Sequence, residues 1–224
     1  MAKKTRAGRT KVGIAFLLLF GPAFLLLFIS TRGCEHKFVE LDDYGKIVDY
    51  QFKNVKGETK SSADYKGDVV LITTLQETCP DSCAISLWHL NQTIYKHIYD
   101  NKRKQLKQVR IISFVTDGEG NPVDDLSTVE LMLKDRVQNY DPSIWILASG
   151  DAKSVYSIKN KDGSDLMETG DQYFGGEAFQ ELILLADKSN HLRMVLNGST
   201  EGMIRRMKQN LALLQKQYDK ENAK

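Results

Sequence analysis

DVVLITTLQETCPDSC, residues 68–83, decides the fold. Its first half is an apolar, largely β-branched run with Gly67 before it and polar residues after it. That pattern predicts a buried central strand over Asp68–Leu75. Its second half, Thr78-Cys79-Pro80-Asp81-Ser82-Cys83, places two thiols four residues apart at the mouth of a helix that runs to about Asn101. Cys83, Leu87, Leu90, Ile94 and Ile98 recur at spacings of 4, 3, 4 and 4, which is one helical face. Pro80 suits a first helical position and Asp81 the positive end of the helix dipole. A cysteine at such an end is biased toward thiolate. Two thiolates there make a redox pair, or two soft donors to one ion such as Cu(I) or Zn. A plain stabilising disulfide is the third reading of the same residues.

Working outward, Tyr44–Phe52 reads as extended, with β-formers at Ile47, Val48, Tyr50 and Phe52, and Asn54–Ser62 as a polar turn region. Val109–Thr116 is a second apolar strand, Asp117–Pro122 a loop, and Asp124–Asn139 a helix built on Leu126, Val129, Leu133 and Val137. Ile144–Ala148 is a third strand, stopped by Ser149-Gly150-Asp151, and a short helix follows over Ala152–Ile158. Glu181–Ala186 and Leu192–Leu196 flank Asp187-Lys188-Ser189-Asn190, a β-hairpin signature. Met203, Met207, Leu211, Leu214 and Tyr218 mark a last amphipathic helix over Thr200–Glu221. Alternating strands and helices followed by a hairpin and a helix imply an α/β domain with a mixed sheet covered on both faces. That is a thioredoxin-like plan, with the dithiol where a central strand hands over to a helix.

Ahead of this domain, residues 1–11 hold Lys3, Lys4, Arg6, Arg9 and Lys11 and no acid. Residues 12–30 are apolar apart from Gly and Ser, with Gly21-Pro22 near the middle. Nineteen residues at about 1.5 Å each reach across a hydrocarbon core of roughly 30 Å. The chain therefore divides into a cytoplasmic basic tail (1–11), a transmembrane anchor (12–30), a juxtamembrane linker (31–43), a thioredoxin-like domain (44–218) and a polar tail (219–224). The basic flank sets the N-terminus in the cytoplasm and the domain outside it. A cleaved signal peptide fits less well, since no small-residue cleavage site follows the apolar run. Gly33-Cys34 resembles the end of a lipoprotein signal, but Thr31 and Arg32 are wrong for one. Without the five basic residues of the first eleven, 26 basic side chains face 29 acidic ones, a net charge of −3. The positive overall balance is thus topogenic and gives no reason to expect nucleic-acid binding. With three cysteines in an oxidising compartment, Cys79 and Cys83 are the natural pair and Cys34 is left over.

Cys79-Pro80-Asp81-Ser82-Cys83 resembles the Cys-Pro-Asp-x-Cys signature of the Sco/SenC family of membrane-tethered, thioredoxin-fold proteins. The resemblance extends over roughly Tyr44–Leu214. VRIISFVTD (109–117) resembles the family strand ending in Ser-x-Asp, and Trp145 to Asp151 resembles its Trp-x-x-Leu-x-Gly stretch. Leu184-Leu185-Ala186-Asp187 resembles the stretch before its glycine-containing turn. The resemblance implies copper handling through Cys79 and Cys83 for the binuclear copper site of cytochrome c oxidase, with some members acting as thiol–disulfide reductants. The implied partners are a cytochrome c oxidase subunit or another periplasmic thiol protein. The implied location is the bacterial inner membrane, with the domain in the periplasm.

The chain departs from the pattern in one respect. The family's third copper ligand is a histidine that falls near Phe179 here, in Gly175-Gly176-Glu177-Ala178-Phe179-Gln180, where no histidine stands. His89 and His97 lie too far along the dithiol helix. His191, in the hairpin turn, and His36, beside the membrane, are the least unfavourable substitutes, and Glu177 is a poor donor for Cu(I). The cis-proline position of ordinary thioredoxins is also empty, the last proline being Pro142. Three functions remain open: a copper-handling assembly factor, a tethered thiol–disulfide reductant or redox sensor, and a scaffold that has lost the chemistry. Asp117-Gly118-Glu119-Gly120-Asn121 lacks the full calcium-loop pattern and reads as a strand–helix connection.

Overall fold

The structure is a computed structural model describing residues 6–33, 40–78, 81–101, 109–158 and 181–222, without the side chains of 6–13, 30–33, 81–83 and 222. It divides into two units, Met1–Val39 and Glu40–Lys224. The described residues of the first form one helix, α1 (Arg6–Gly33), which continues through Pro22. Its side chains from Ile14 to Ile29 are almost all exposed and apolar. Among the described residues no helix is long and apolar enough to cross a membrane. The described side chains of α1, those of residues 14–29, cover about 24 Å of helix.

The second unit is built on a five-stranded mixed sheet. Its strands are β3 (Val69–Gln76), β4 (Val109–Thr116), β5 (Trp145–Ala148), β6 (Leu182–Ala186) and β7 (Leu192–Asn197), in the order β5-β4-β3-β6-β7. β3, β4 and β5 are parallel, and β6 and β7 are antiparallel to their neighbours. β3 lies at the centre and pairs with β4 along its whole length, from Val69 opposite Val109 to Gln76 opposite Thr116. Seven of its eight residues are buried, which is what a strand covered on both faces requires. Val69, Leu71 and Leu75 face one apolar layer and Val70 and Ile72 the other.

On the first face pack α2 (Asp81–Leu90), a π-helical turn (Asn91–Tyr95), α3 (Lys96–Asp100), α4 (Ser127–Arg136) and α6 (Glu201–Asn222). The second face is covered by Ile47, Tyr50, Phe52 and α5 (Ala152–Tyr156). The π-turn has a reason in the sequence. The five positions from Cys83 to Ile98 average about 3.75 residues per turn against 3.6 for an α-helix, a drift of about 60° over the run. One wide turn takes up that drift, so Leu87, Leu90, Ile94 and Ile98 are all buried.

The described residues differ from the sequence reading at several element ends, in one added strand, in the π-turn that divides the helix expected to Asn101, and in that no described helix has the length and apolarity of the anchor expected over 12–30. Only β1 (Gln51–Lys53) of the extended segment Tyr44–Phe52 is a strand, with an isolated bridge from Lys46 to His191. The supposed turn Asn54–Ser62 contains β2 (Thr59–Ser61), antiparallel to β1. Asn54 closes this hairpin by accepting from the backbone of Lys56 and Glu58, and Gly57 takes the positive φ. β2 has no alternating pattern because its three residues, Thr59, Lys60 and Ser61, are all polar and none is buried. The helix expected over 124–139 shortens to Ser127–Arg136, with the Asp125 carboxylate accepting from Ser127 N–H just before it.

Inside the sheet, Trp145 is fully buried and its indole N–H donates to Ser113 Oγ at 2.8 Å, which in turn lies 2.6 Å from Thr73 Oγ1. This chain of polar groups ties β5, β4 and β3 together. Ser113→Ala strands the indole N–H in an apolar layer and is expected to cost about 1–3 kcal/mol, measured by urea denaturation. Gly150 lies where β1 crosses the end of β5: a Cβ there would stand 2.7 Å from Gln51 O and 3.0 Å from Phe52 Cβ. Gly150→Ala must push a backbone strand away, and a loss of roughly 1–3 kcal/mol in the same assay is expected.

Candidate functional site at the end of the central strand

The parallel strands β3, β4 and β5 all point their C-terminal ends toward one edge of the sheet. The chain leaves β3 at Gln76, and the backbone N–H of Glu77 still donates to Thr116 O at 2.8 Å. α2 then begins at Asp81, so Cys83 sits in its first turn. Cys79 and Pro80 lie outside the described residues, and of Cys83 only the backbone is described. The strand-to-helix junction expected around the dithiol is present. A helix N-terminus there offers backbone N–H groups and a partial positive charge that favour thiolate.

The sheet register places the other candidates. β6 is antiparallel to β3, with Ala186 opposite Val70 and Leu184 opposite Ile72. The start of β6, preceded by Glu181, therefore lies at the dithiol edge. The segment with Gly175 to Gln180, including Glu177 and Phe179, lies outside the described residues. The β6–β7 turn lies at the opposite edge, about 20 Å from the end of β3 as measured by six residues of strand. His191 is in that turn. It is therefore too far away to be a third ligand, which corrects the suggestion that it substitutes for the missing histidine.

His191 has a different role. Its Nδ1 lies 2.8 Å from Asp43 Oδ2. Arg193 Nη1 is 3.4 Å from Asp187 Oδ2 and 3.8 Å from Asp43 Oδ2, and Nη2 donates to Leu41 O at 2.6 Å. These contacts clamp the strap Leu41–Asp43 onto the hairpin.

The remaining histidines fail for separate reasons. His89 is six residues past Cys83, about 9 Å along the axis, in a T-shaped pair with Trp88, ring centroids 5.0 Å apart. His97 is about 21 Å along, with its Nδ1 3.2 Å from Asn101 Nδ2; burial, and then Lys208, hold its pKa down. His36 lies outside the described residues. Among the described residues no three His, Cys, Asp or Glu side chains form a metal cluster.

Asp117, at the dithiol edge, spends its carboxylate on its own loop. It accepts from the backbone N–H groups of Glu119 and Asn121 and from Asn121 Nδ2. That fits the strand–helix connection read from its sequence. A cavity of about 100 Å³ also opens below this edge, between Thr74, Gln76, Ser86, Glu181, Ser199 and Ile204. It was not legible from the sequence, because its walls come from five separate segments.

The Asp43 carboxyl is held below the ordinary carboxylate range, first by the hydrogen bond from His191 and then by the backbone N–H of Gly45. A depressed folded-state value stabilises the fold above the unfolded carboxyl pKa of about 3.9, and that contribution is lost as pH falls through the depressed value. Asp43→Asn should therefore flatten the acid limb of the stability–pH curve, followed by urea denaturation between about pH 2 and 5. Both side chains are more than a third exposed, so the effect is expected within about 1 kcal/mol.

No family model matches the chain, and no curated protein matches it. Solved structures do. A structure of BsSco, a member of the Sco family of cytochrome c oxidase assembly proteins in which a disulfide switch was identified, is 19% identical. It covers 77% of this chain and 97% of its own, with a TM-score of 0.53. A SCO1/SenC family lipoprotein from Bacillus anthracis str. Ames is 17% identical, covers 75% of this chain and 96% of its own, and has a TM-score of 0.50. The mixed sheet, its two covered faces and the strand-to-helix junction at Cys83 thus give this chain the fold of the Sco/SenC structures.

Proposed function

We propose that this chain is a membrane-anchored, Sco-like protein that works through Cys79 and Cys83 in the assembly of a cytochrome c oxidase copper site. Copper is its cargo, and the thiol–disulfide state of a partner is the second quantity it controls. The observation that carries the reading is the junction at the end of β3, where the Cys79-Pro80-Asp81-Ser82-Cys83 run meets the first turn of α2. The shared fold with BsSco supports it. Two thiolates are a suitable donor set for Cu(I), which accepts soft ligands in low coordination number. The partner is a cytochrome c oxidase subunit or another periplasmic thiol protein. The basic residues before position 12 and the apolar run 12–30 support a single-pass anchor in a bacterial inner membrane, with the domain on the periplasmic side.

The second reading is a thiol–disulfide reductant or redox sensor that uses the same pair without copper. The placement of the histidines favours it. His191 is at the wrong edge of the sheet, and His89 and His97 lie well down the helix.

The deciding experiment is an anaerobic Cu(I) titration of the reduced full-length protein in detergent against a competing chelator. Cys79→Ser/Cys83→Ser serves as control. One-to-one binding abolished in the control is the expected result. Binding no tighter than the control sinks the cargo reading and leaves the reductant, which predicts a two-electron equilibrium of the pair with glutathione.

A further inference from the structure

Among the described residues three tyrosines are buried, and two of them spend their hydroxyls on the fold. Tyr95 donates to Asn139 O at 2.6 Å and Tyr156 to Leu182 O at 2.9 Å. Tyr50 is the exception. It is 5% exposed, with its ring stacked on Phe52 and T-shaped against Phe114. Its backbone carbonyl accepts from Ser62 N–H. Its hydroxyl makes no hydrogen bond with any described residue. A buried Tyr ordinarily finds a partner for its O–H. Burial holds its pKa above the ordinary range, so the group stays protonated and able to donate.

Tyr50 lines a cavity of about 490 Å³ between residues 46–51, the helical turn Ser62–Tyr65 with Lys66 after it, and the β6–β7 turn. Cavities of this size hold small organic molecules. Tyr50, Val70 and the half-buried Tyr65 supply apolar wall. Four charged side chains also line it: Lys46, Asp49, Lys66 and Asp187. Three of them are compensated, since Lys46 pairs with Asp49 at 2.9 Å and Asp187 with Arg193 at 3.4 Å. Lys66 is exposed and has no ion pair with any described residue. The cavity therefore combines a buried neutral donor, aromatic and apolar wall, and one uncompensated positive charge open to water.

We propose that this cavity binds a small aromatic carboxylate, whose neutral hydrogen-bonding end meets the Tyr50 hydroxyl and whose carboxylate pairs with Lys66. The site lies at the edge of the sheet that carries the β6–β7 turn, opposite the start of α2, and is independent of the thiol chemistry. The orientation follows from desolvation. Burying a carboxylate beside a single neutral donor is costly, so the charged end stays with the exposed cation and the neutral end goes in. An aromatic body matches walls built from tyrosine rings. One uncompensated cation matches a single negative charge.

The test is a calorimetric titration of the full-length protein in detergent with 4-hydroxybenzoate and with benzoate, detergent alone serving as the blank. The hydroxylated probe is expected to bind the wild type roughly tenfold more tightly than benzoate, the worth of one hydrogen bond to a buried partner. Tyr50→Phe is expected to abolish that preference and to leave benzoate binding unchanged. Its urea midpoint should match the wild type, since the hydroxyl has no partner in the fold. Lys66→Gln is expected to weaken both probes several-fold, as is raised salt. Absence of saturable binding by either probe at millimolar concentration overturns the proposal. So does a preference for 4-hydroxybenzoate that survives Tyr50→Phe, which places the probe elsewhere. A Tyr50→Phe protein less stable than the wild type also overturns it, because the hydroxyl then serves the fold through ordered water.

Discussion

The parallel pairing of β3 with β4 is the constraint on which the rest of the domain depends. The two strands match residue for residue along their full lengths. Apart from Gln76 and Arg110 every residue of the two is buried, so a slipped register would turn core side chains to water. That register aligns the C-terminal ends of β3, β4 and β5 at one edge. The Thr73–Ser113–Trp145 chain of polar groups holds it from inside. A polar pair across a buried sheet is costly to slip, because every shifted register leaves donors unpaired in an apolar layer. The start of α2, and Cys83 with it, inherits its position from this pairing.

The sheet therefore has two edges with different work. One carries the strand-to-helix junction, the start of β6 and the cavity beside Gln76 and Glu181. The other carries the β6–β7 turn with Asp187, His191 and Arg193, and it receives the strap Leu41–Asp43. The ionic clamp is mechanical: it fixes how the chain enters the domain, at the edge opposite the start of α2. A histidine available for metal binding on composition grounds is committed to a carboxylate at the edge opposite the start of α2.

The dithiol helix reconciles two demands. Its inner face must follow the sheet for four turns, and the apolar spacing drifts against an α-helical period, so a π-turn is inserted at Asn91–Tyr95. Its outer face bears Ile85 and Trp88, both exposed. Core packing dictates the first feature.

The sequence alone determined the kind and order of nearly every element. Buried parallel strands leave unbroken apolar runs, as at 69–75 and 109–116. Asp187-Lys188-Ser189-Asn190 names its turn through the Asp187 carboxylate, which accepts from Ser189 and His191 N–H. The candidate pair Cys79 and Cys83 rests on the sequence alone, because its chemistry is local to five residues. β2 was not, since a short polar strand lacks the alternation that marks a half-buried one. Nor were the clamp, the cavity, or the distance of His191 from the thiols. Each of these depends on which residues far apart in the chain share an edge of the sheet, and that follows from the antiparallel pairing of β6 with β3. Periodicity reports what a segment buries, whereas only strand register decides what it meets.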